Sequence, residues 1–197
     1  MRDLSDQTQG VGELLELAEL AATCARELAT EIDAVTSMVL ETLQADGALL
    51  FCGNGGSAAD AQHLAAEYVI RFRRDRGPLR ALALTTDTSI LTAGGNDLGF
   101  EEIFARQVEA LGRKGDLLVV HSTSGESENV IRAVKAADRG GLHTVAMLAK
   151  GGGRLKETVN VAVVVPTENT ARAQELHLAI GHVICDRVDQ TLSGEPR

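Results

Sequence analysis

Ala48-Leu49-Leu50-Phe51-Cys52-Gly53-Asn54-Gly55-Gly56-Ser57 joins an unbroken apolar run to a glycine-rich turn. A strand with one wet face alternates apolar and polar residues, so a continuous run that stops at glycine reads as a strand buried on both faces. The signature recurs at Ala81–Leu84, Leu117–Val120, Thr144–Leu148 and Val161–Val165, with helix-like segments between most of the runs. Strands alternating with crossover segments predict a parallel sheet covered on both sides by right-handed connections. The fold class is therefore α/β, a three-layer αβα sandwich.

Outward from this core, Val11 to about Leu43 carries apolar residues at helical spacing, among them Leu14, Leu15, Leu17, Ala18 and Ala21, and predicts two helices broken near Thr30. Their apolar stripes exceed what one sheet face needs, which calls for a helical partner. Ala171 to about Leu192 predicts a long closing helix, after which the Ser193–Arg197 tail is expected to fray. A chain of 197 residues reads as one domain, with a helical N-terminal segment over about 8–45 and an αβα core over about 46–192.

Composition narrows the function. The net charge of -9 argues against an extended nucleic-acid groove or an anionic membrane surface, and 3% aromatics without tryptophan argues against base-stacking platforms. Three cysteines without CxxC spacing indicate neither a disulfide framework nor a thiolate metal cluster, which fits a reducing cytoplasm. No stretch approaches the length of a membrane span, and the first ten residues lack the pattern of an export signal.

In parallel sheets, ligands bind beyond the carboxyl ends of the strands. Two turns there are unusual. Gly53-Asn54-Gly55-Gly56-Ser57 allows a ligand close to backbone amides ahead of a helix, and Ser122-Thr123-Ser124-Gly125-Glu126-Ser127 sets four hydroxyls around a glycine. Hydroxyls and free amides at a helix start can hold one phosphate without lysine or arginine. Neither turn is a Walker or dinucleotide motif, which disfavours a nucleotide. Either loop alone could be a tight turn or a helix cap; together, at one sheet edge, they line a single crevice.

His63 and Glu67 stand four residues apart, about 40° on one helix face, a spacing that suits joint metal coordination or acid/base work. The closing helix carries Gln174, Glu175, His177 and His182, and spacing alone does not choose among them as partners. Asn96-Asp97 after two glycines reads as a turn with a carboxylate usable for sugar hydroxyls. Arg71, Arg73, Arg74 and Arg76 with Asp75 read as a solvated, partly neutralised surface from which one arginine could reach a phosphate. Cys52 reads as a buried small hydrophobe and Gly151-Gly152-Gly153 as a flexible turn.

Gly53 through His63, Gly95-Asn96-Asp97, Ser122-Thr123-Ser124-Gly125 and Ala173-Gln174-Glu175-Leu176-His177, in that order, resemble the sugar isomerase (SIS) superfamily and, within it, the phosphoheptose isomerase family. The resemblance spans about residues 10–192. It implies a flavodoxin-like five-stranded parallel sandwich and a homotetramer with active sites at subunit interfaces. It also implies a zinc ion in each subunit on His63, Glu67, Gln174 and His182. Asn54, Gly55, Gly56 and Ser57 match that family's substrate loop, Asn96 and Asp97 its sugar-contacting pair, and Arg71 a substrate-side arginine. Ser122, Thr123, Ser124 and Ser127 match its phosphate cradle. Two departures stand out: Glu126 where asparagine is common, which would weaken phosphate binding if the carboxylate points inward, and His121 where small or apolar residues are usual. The implied activity is conversion of sedoheptulose 7-phosphate to D-glycero-D-manno-heptose 7-phosphate through an enediol, with Glu67 as general base and His182 as complementary acid. A non-catalytic cousin of the same fold, which binds a replication initiator, lacks the counterparts of Glu67 and His182, and both are present here. A sugar-phosphate sensor that binds without chemistry is the third reading.

Overall fold

Five parallel strands form one sheet in the order β2-β1-β3-β4-β5. They are β1 (Leu49–Gly53), β2 (Ala81–Ala83), β3 (Leu117–Ser122), β4 (His143–Leu148) and β5 (Val161–Val164), in a computed structural model that describes residues 9–193. Every residue of β1 and β3 is buried, which is why their sequences do not alternate. The edge strands β2 and β5 are partly exposed.

Seven α-helices accompany the strands among the described residues. The N-terminal pair is α1 (Gln9–Glu27) and α2 (Ala29–Gln44); α3 (Gly56–Val69) follows β1, and α4 (Thr88–Asp97) and α5 (Ile103–Leu111) follow β2. Then come α6 (Glu128–Gly140) after β3 and α7 (Thr170–Leu192) after β5. One sheet face, through Phe51, Val119 and Met147, packs on α2, α3 and α7, and the other, through Leu50, Leu118 and Val120, packs on α5 and α6. That is the expected three-layer sandwich. Side-chain oxygens start two helices: Asp87 accepts from the Ile90 amide and Asn169 from the Ala171 amide. All three cysteines are free and buried, Cys52 among the aliphatic residues of the second face.

Three expectations change. The break between the first helices falls at Leu28 rather than Thr30, because Leu28 leaves helical geometry (φ -108°, ψ 12°) to be buried while Thr30 stays exposed in α2. Asn96 and Asp97 form the last turn of α4 instead of a loop. Arg76 is not a solvated arginine: its side chain is only 3% exposed and its Nε donates to the fully buried Asp189 of α7 at 2.6 Å. The tail from Gly194 and the predicted helical start at residue 8 lie outside the described residues.

Two features fix α3 against α7. At Gly181 a β-carbon would lie 2.6 Å from Leu64 Cδ2, so the missing side chain lets the helices touch. Beyond the end of α3, Asp189 accepts from the Arg73 and Arg74 amides as well as Arg76, while Arg76 also donates to the carbonyls of Glu67 and Tyr68. Burial alone would raise the Asp189 carboxyl, but these donors outweigh it and hold it below its ordinary value. A depressed carboxyl stabilises the fold above its unfolded pKa of about 3.9, and that contribution is lost as pH falls through the folded value. Asp189→Asn should therefore cost about 3–5 kcal/mol at neutral pH by stranding Arg76. In urea titrations the difference between wild type and variant should shrink at acid pH; a gap that stays constant would count against this account.

Candidate active site

Strand β1 leads through α3 to one sheet edge and β3 through α6 toward the other, so a crevice opens between the loops that leave them. The two strand ends are in register, with Gly53 beside His121. Asn54 and Asn129 exchange two side-chain hydrogen bonds of 2.9 Å, which tie the glycine loop to the first turn of α6. Asn129 went unnoticed in the sequence because nothing local marks an asparagine whose partner is 75 residues away.

The serine loop is shaped from within. Ser122 Oγ accepts from the Gly125 amide and Ser124 Oγ from the Glu126 amide, both at 3.2 Å. Ser127 occupies the N-cap of α6, yet its hydroxyl makes no capping hydrogen bond. The positive end of a 13-residue helix, uncapped by its own serine, thus lies beside the crevice. Thr123 and Ser124 are partly exposed there.

Glu126 is drawn onto Arg154, which donates to it from its amide at 2.8 Å and from Nε at 2.7 Å; those hydrogen bonds hold its carboxyl below the ordinary range. Arg154 also reaches Glu128. The Gly151–Gly153 turn packs against the serine loop, where Gly125 (φ 66°) has no room for a β-carbon because it would run into the Gly152 carbonyl. Gly152 and Gly153 are therefore close-packed in support of that loop, while Gly151 faces open space.

On the other side of the glycine loop, His63 and Glu67 of α3 meet His182 of α7. His63 Nε2 lies 2.9 Å from His182 Nε2 and 3.3 Å from Glu67 Oε1. The three side chains can together ligate a metal, and they remain reachable, with the side chains of His63 and Glu67 45% and 21% exposed. Phe72 stacks on the His182 ring at 5.0 Å. Burial, the neighbouring His63 and Arg73 lower the His182 pKa against the pull of Glu67, so its imidazole is neutral near pH 7. Gln174 and Glu175 of α7 have different surroundings. Glu175 pairs with Arg172, whereas the Gln174 carboxamide lies over Gly56, where a β-carbon would come within 2.6 Å of it.

Not every candidate converges. Arg71 is exposed and pairs with Asp75. Asn96 and Asp97 are exposed and hydrogen-bonded to each other at 2.6 Å, and no hydrogen bond or ion pair among the described residues joins them to either loop. His121 is fully buried beneath the crevice instead of lining it.

The SIS domain family matches residues 14–149. A phosphoheptose isomerase from Roseiflexus is 56% identical over 83% of this chain and 83% of its own length. The chain belongs to the phosphoheptose isomerase family. The solved phosphoheptose isomerase of Neisseria gonorrhoeae superposes with a TM-score of 0.88 at 43% identity, covering 93% of this chain and 98% of that one. That of Francisella tularensis gives 0.90 at 36% identity, over 94% and 98%. The protein is an isomerase of a sugar phosphate.

Arg154→Ala should release the Glu126 carboxylate and loosen the glycine turn beneath the serine loop. We expect KM for the sugar phosphate to rise about fivefold, roughly 1 kcal/mol of binding, with kcat little changed. Adding Glu126→Asn should recover much of the loss, and an unchanged KM in the single variant would remove Arg154 from this role.

Proposed function

We propose that this isomerase converts sedoheptulose 7-phosphate to D-glycero-D-manno-heptose 7-phosphate, feeding nucleotide-activated heptose synthesis in the cytoplasm, and that residues 1–197 act as one SIS domain. The observation that carries the reading is the convergence of Glu67 and His182, from separate helices, behind a glycine loop that Asn54 and Asn129 tie to a hydroxyl-rich helix start. A carboxylate and a neutral imidazole on one side and an anion cradle on the other suit an open-chain sugar phosphate held at one end and deprotonated at the other.

In this reading the phosphate sits among Ser122, Thr123, Ser124 and Ser127 at the α6 N-terminus, and Asn54, Gly55, Gly56 and Ser57 approach the sugar. Glu67 takes a proton from C1 of the ketose as the C1–C2 double bond forms and the C2 carbonyl becomes a hydroxyl. His182 gives the proton to O2 and recovers one from O1, and Glu67 returns its proton to C2, leaving the aldehyde at C1. Phe72 keeps the His182 ring in place.

The donor set also fits zinc. Ligands of a tetrahedral zinc stand about 3.3 Å apart, close to the 2.9 and 3.3 Å separations here, and two imidazoles, a carboxylate and a carboxamide are hard-to-borderline donors of the right kind. His63, Glu67, Gln174 and His182 would hold it, with Gln174 two turns before His182 on α7. Bound there, the metal would act as a Lewis acid toward the substrate oxygens.

Glu67→Gln should lower kcat by about 10²–10⁴-fold without loss of fold, followed by NMR of the sugar carbons. Full activity in this variant would dismiss Glu67 as the base. Absence of aldose product from wild-type protein with zinc, together with tight binding to a replication initiator, would replace the enzyme reading by the scaffold.

A homotetramer with shared active sites accounts for two further observations. Asn96, Asp97 and Arg71 are exposed away from the crevice of their own chain, and α1 presents Val11, Leu14 and Leu15 at 55%, 66% and 60% exposure beside an apolar groove of about 290 Å³ between α1, α2 and α7. Neither nucleic acid nor membrane has a place in this assembly, and no helix among the described residues is long and apolar enough to cross a bilayer. Leu14→Glu with Leu15→Glu should yield a smaller species by analytical ultracentrifugation, folded but with most activity lost; an active monomer would refute the shared site.

A further inference from the structure

Beneath the crevice, between the sheet and the first half of α3 and α7, three more donors face one another. Asp60 comes from α3, His121 from the end of β3 and His177 from α7, and their ligand-capable atoms all lie within 4.8 Å of one another. They are 9%, 0% and 0% exposed, unlike the open cluster at His63. The proposed isomerisation uses none of them.

Their hydrogen bonding is incomplete in a telling way. His177 Nε2 stands 2.9 Å from the Leu148 carbonyl oxygen. A carbonyl only accepts, so Nε2 carries the proton and Nδ1 is left with a bare lone pair. Fixing one ring nitrogen on a backbone carbonyl is how metal-ligating histidines are commonly oriented. That Nδ1, both nitrogens of His121 and Asp60 Oδ2 are all buried without a hydrogen-bond partner. An unpartnered buried polar atom is costly, and four gathered in one spot is more than a folded core ordinarily leaves unpaired.

The protonation states suit a cation. Burial, with His177 nearby, lowers His121 to about 3, and burial lowers His177 to about 4 against the Leu148 contact, so both rings are neutral near pH 7. Burial raises Asp60 to about 6 against the influence of His63, which leaves it mainly ionised at that pH. Two neutral imidazoles and one carboxylate are a donor set for zinc-class divalent metals.

We propose that Asp60, His121 and His177 form a second metal site, buried and structural, for a divalent cation of the zinc class. It ties β3, α3 and α7 together directly under the loop that follows Ser122. Its three donors leave the fourth position of a tetrahedral ion to an enclosed water, out of reach of a substrate because the site is closed to solvent.

The test measures metal in protein that lacks the exposed cluster. Full-length His63→Ala/His182→Ala protein, expressed with added zinc and desalted, should retain about one zinc per chain by plasma mass spectrometry. Adding His121→Leu should remove at least about nine-tenths of it. A double variant without zinc, or zinc that survives His121→Leu, would overturn the proposal. Should the triple variant fail to fold, the double variant grown in cobalt decides: visible absorption of four-coordinate cobalt(II) supports the buried site, and a colourless protein refutes it. No sugar enters this experiment, so its outcome is independent of the isomerase reading.

Discussion

The contact between α3 and α7 governs where the reactive groups stand. Its upper part is a steric matter, with Leu64 seated where Gly181 has no side chain, one residue before His182. Its lower part is electrostatic. Taking Arg76 and Asp189 out of water costs several kcal/mol per ion, and only a full set of hydrogen bonds offsets that. Asp189 receives three donors, and Arg76 gives three of its remaining four hydrogens to the carbonyls of Tyr68, Gly77 and Glu67. The last of these is the backbone of the proposed base. The pair that holds the segment after α3 on α7 therefore also fixes the rotation and height of Glu67 opposite His182.

The proposed binding of an anion on an acidic protein rests on locality. A net charge of -9 is a sum over the whole surface, and exposed charges are screened within about 8–10 Å in physiological salt. The crevice instead meets the uncapped end of α6 and the hydroxyls of the serine loop. Arg154, which hydrogen-bonds that loop through Glu126, is occupied by Glu126 and Glu128. This pairing matches the charge of Glu126 beside the proposed phosphate cradle. The field at the site is thus made of backbone dipoles, whose position the fold fixes.

How much of this could be read from the chain depends on the range of each interaction. The strands were legible because double burial writes itself locally, as in Leu117–Val120, and the glycine and serine loops because their residue types are unusual for ordinary turns. The pairing of His63 with Glu67 was legible from a single helix. Spacing on α7 left the third member open and only the family resemblance named His182, which the close contact at Gly181 brings to the pair. Arg76 looked solvated because its counterion lies 113 residues away, and Asn96-Asp97 looked like a turn because the glycines before it conceal a helix. Long-range pairing, not weak local signal, is what the sequence withheld.

The molecule carries two histidine-carboxylate clusters on the same pair of helices, and burial separates their chemistry. His63, Glu67 and His182 keep contact with solvent, so one coordination position or one proton route can stay open to a substrate. Asp60, His121 and His177 lie between sheet and helices, where exchange with water or ligand would require the core to open. A donor group in the first place can change partners during a reaction; in the second it can only hold. Because α3 and α7 contribute to both, a metal in the buried cluster would resist any movement that separates the exposed donors. With the proposed metal bound, the lower cluster would act as a pivot that limits how far Glu67 and His182 can drift apart.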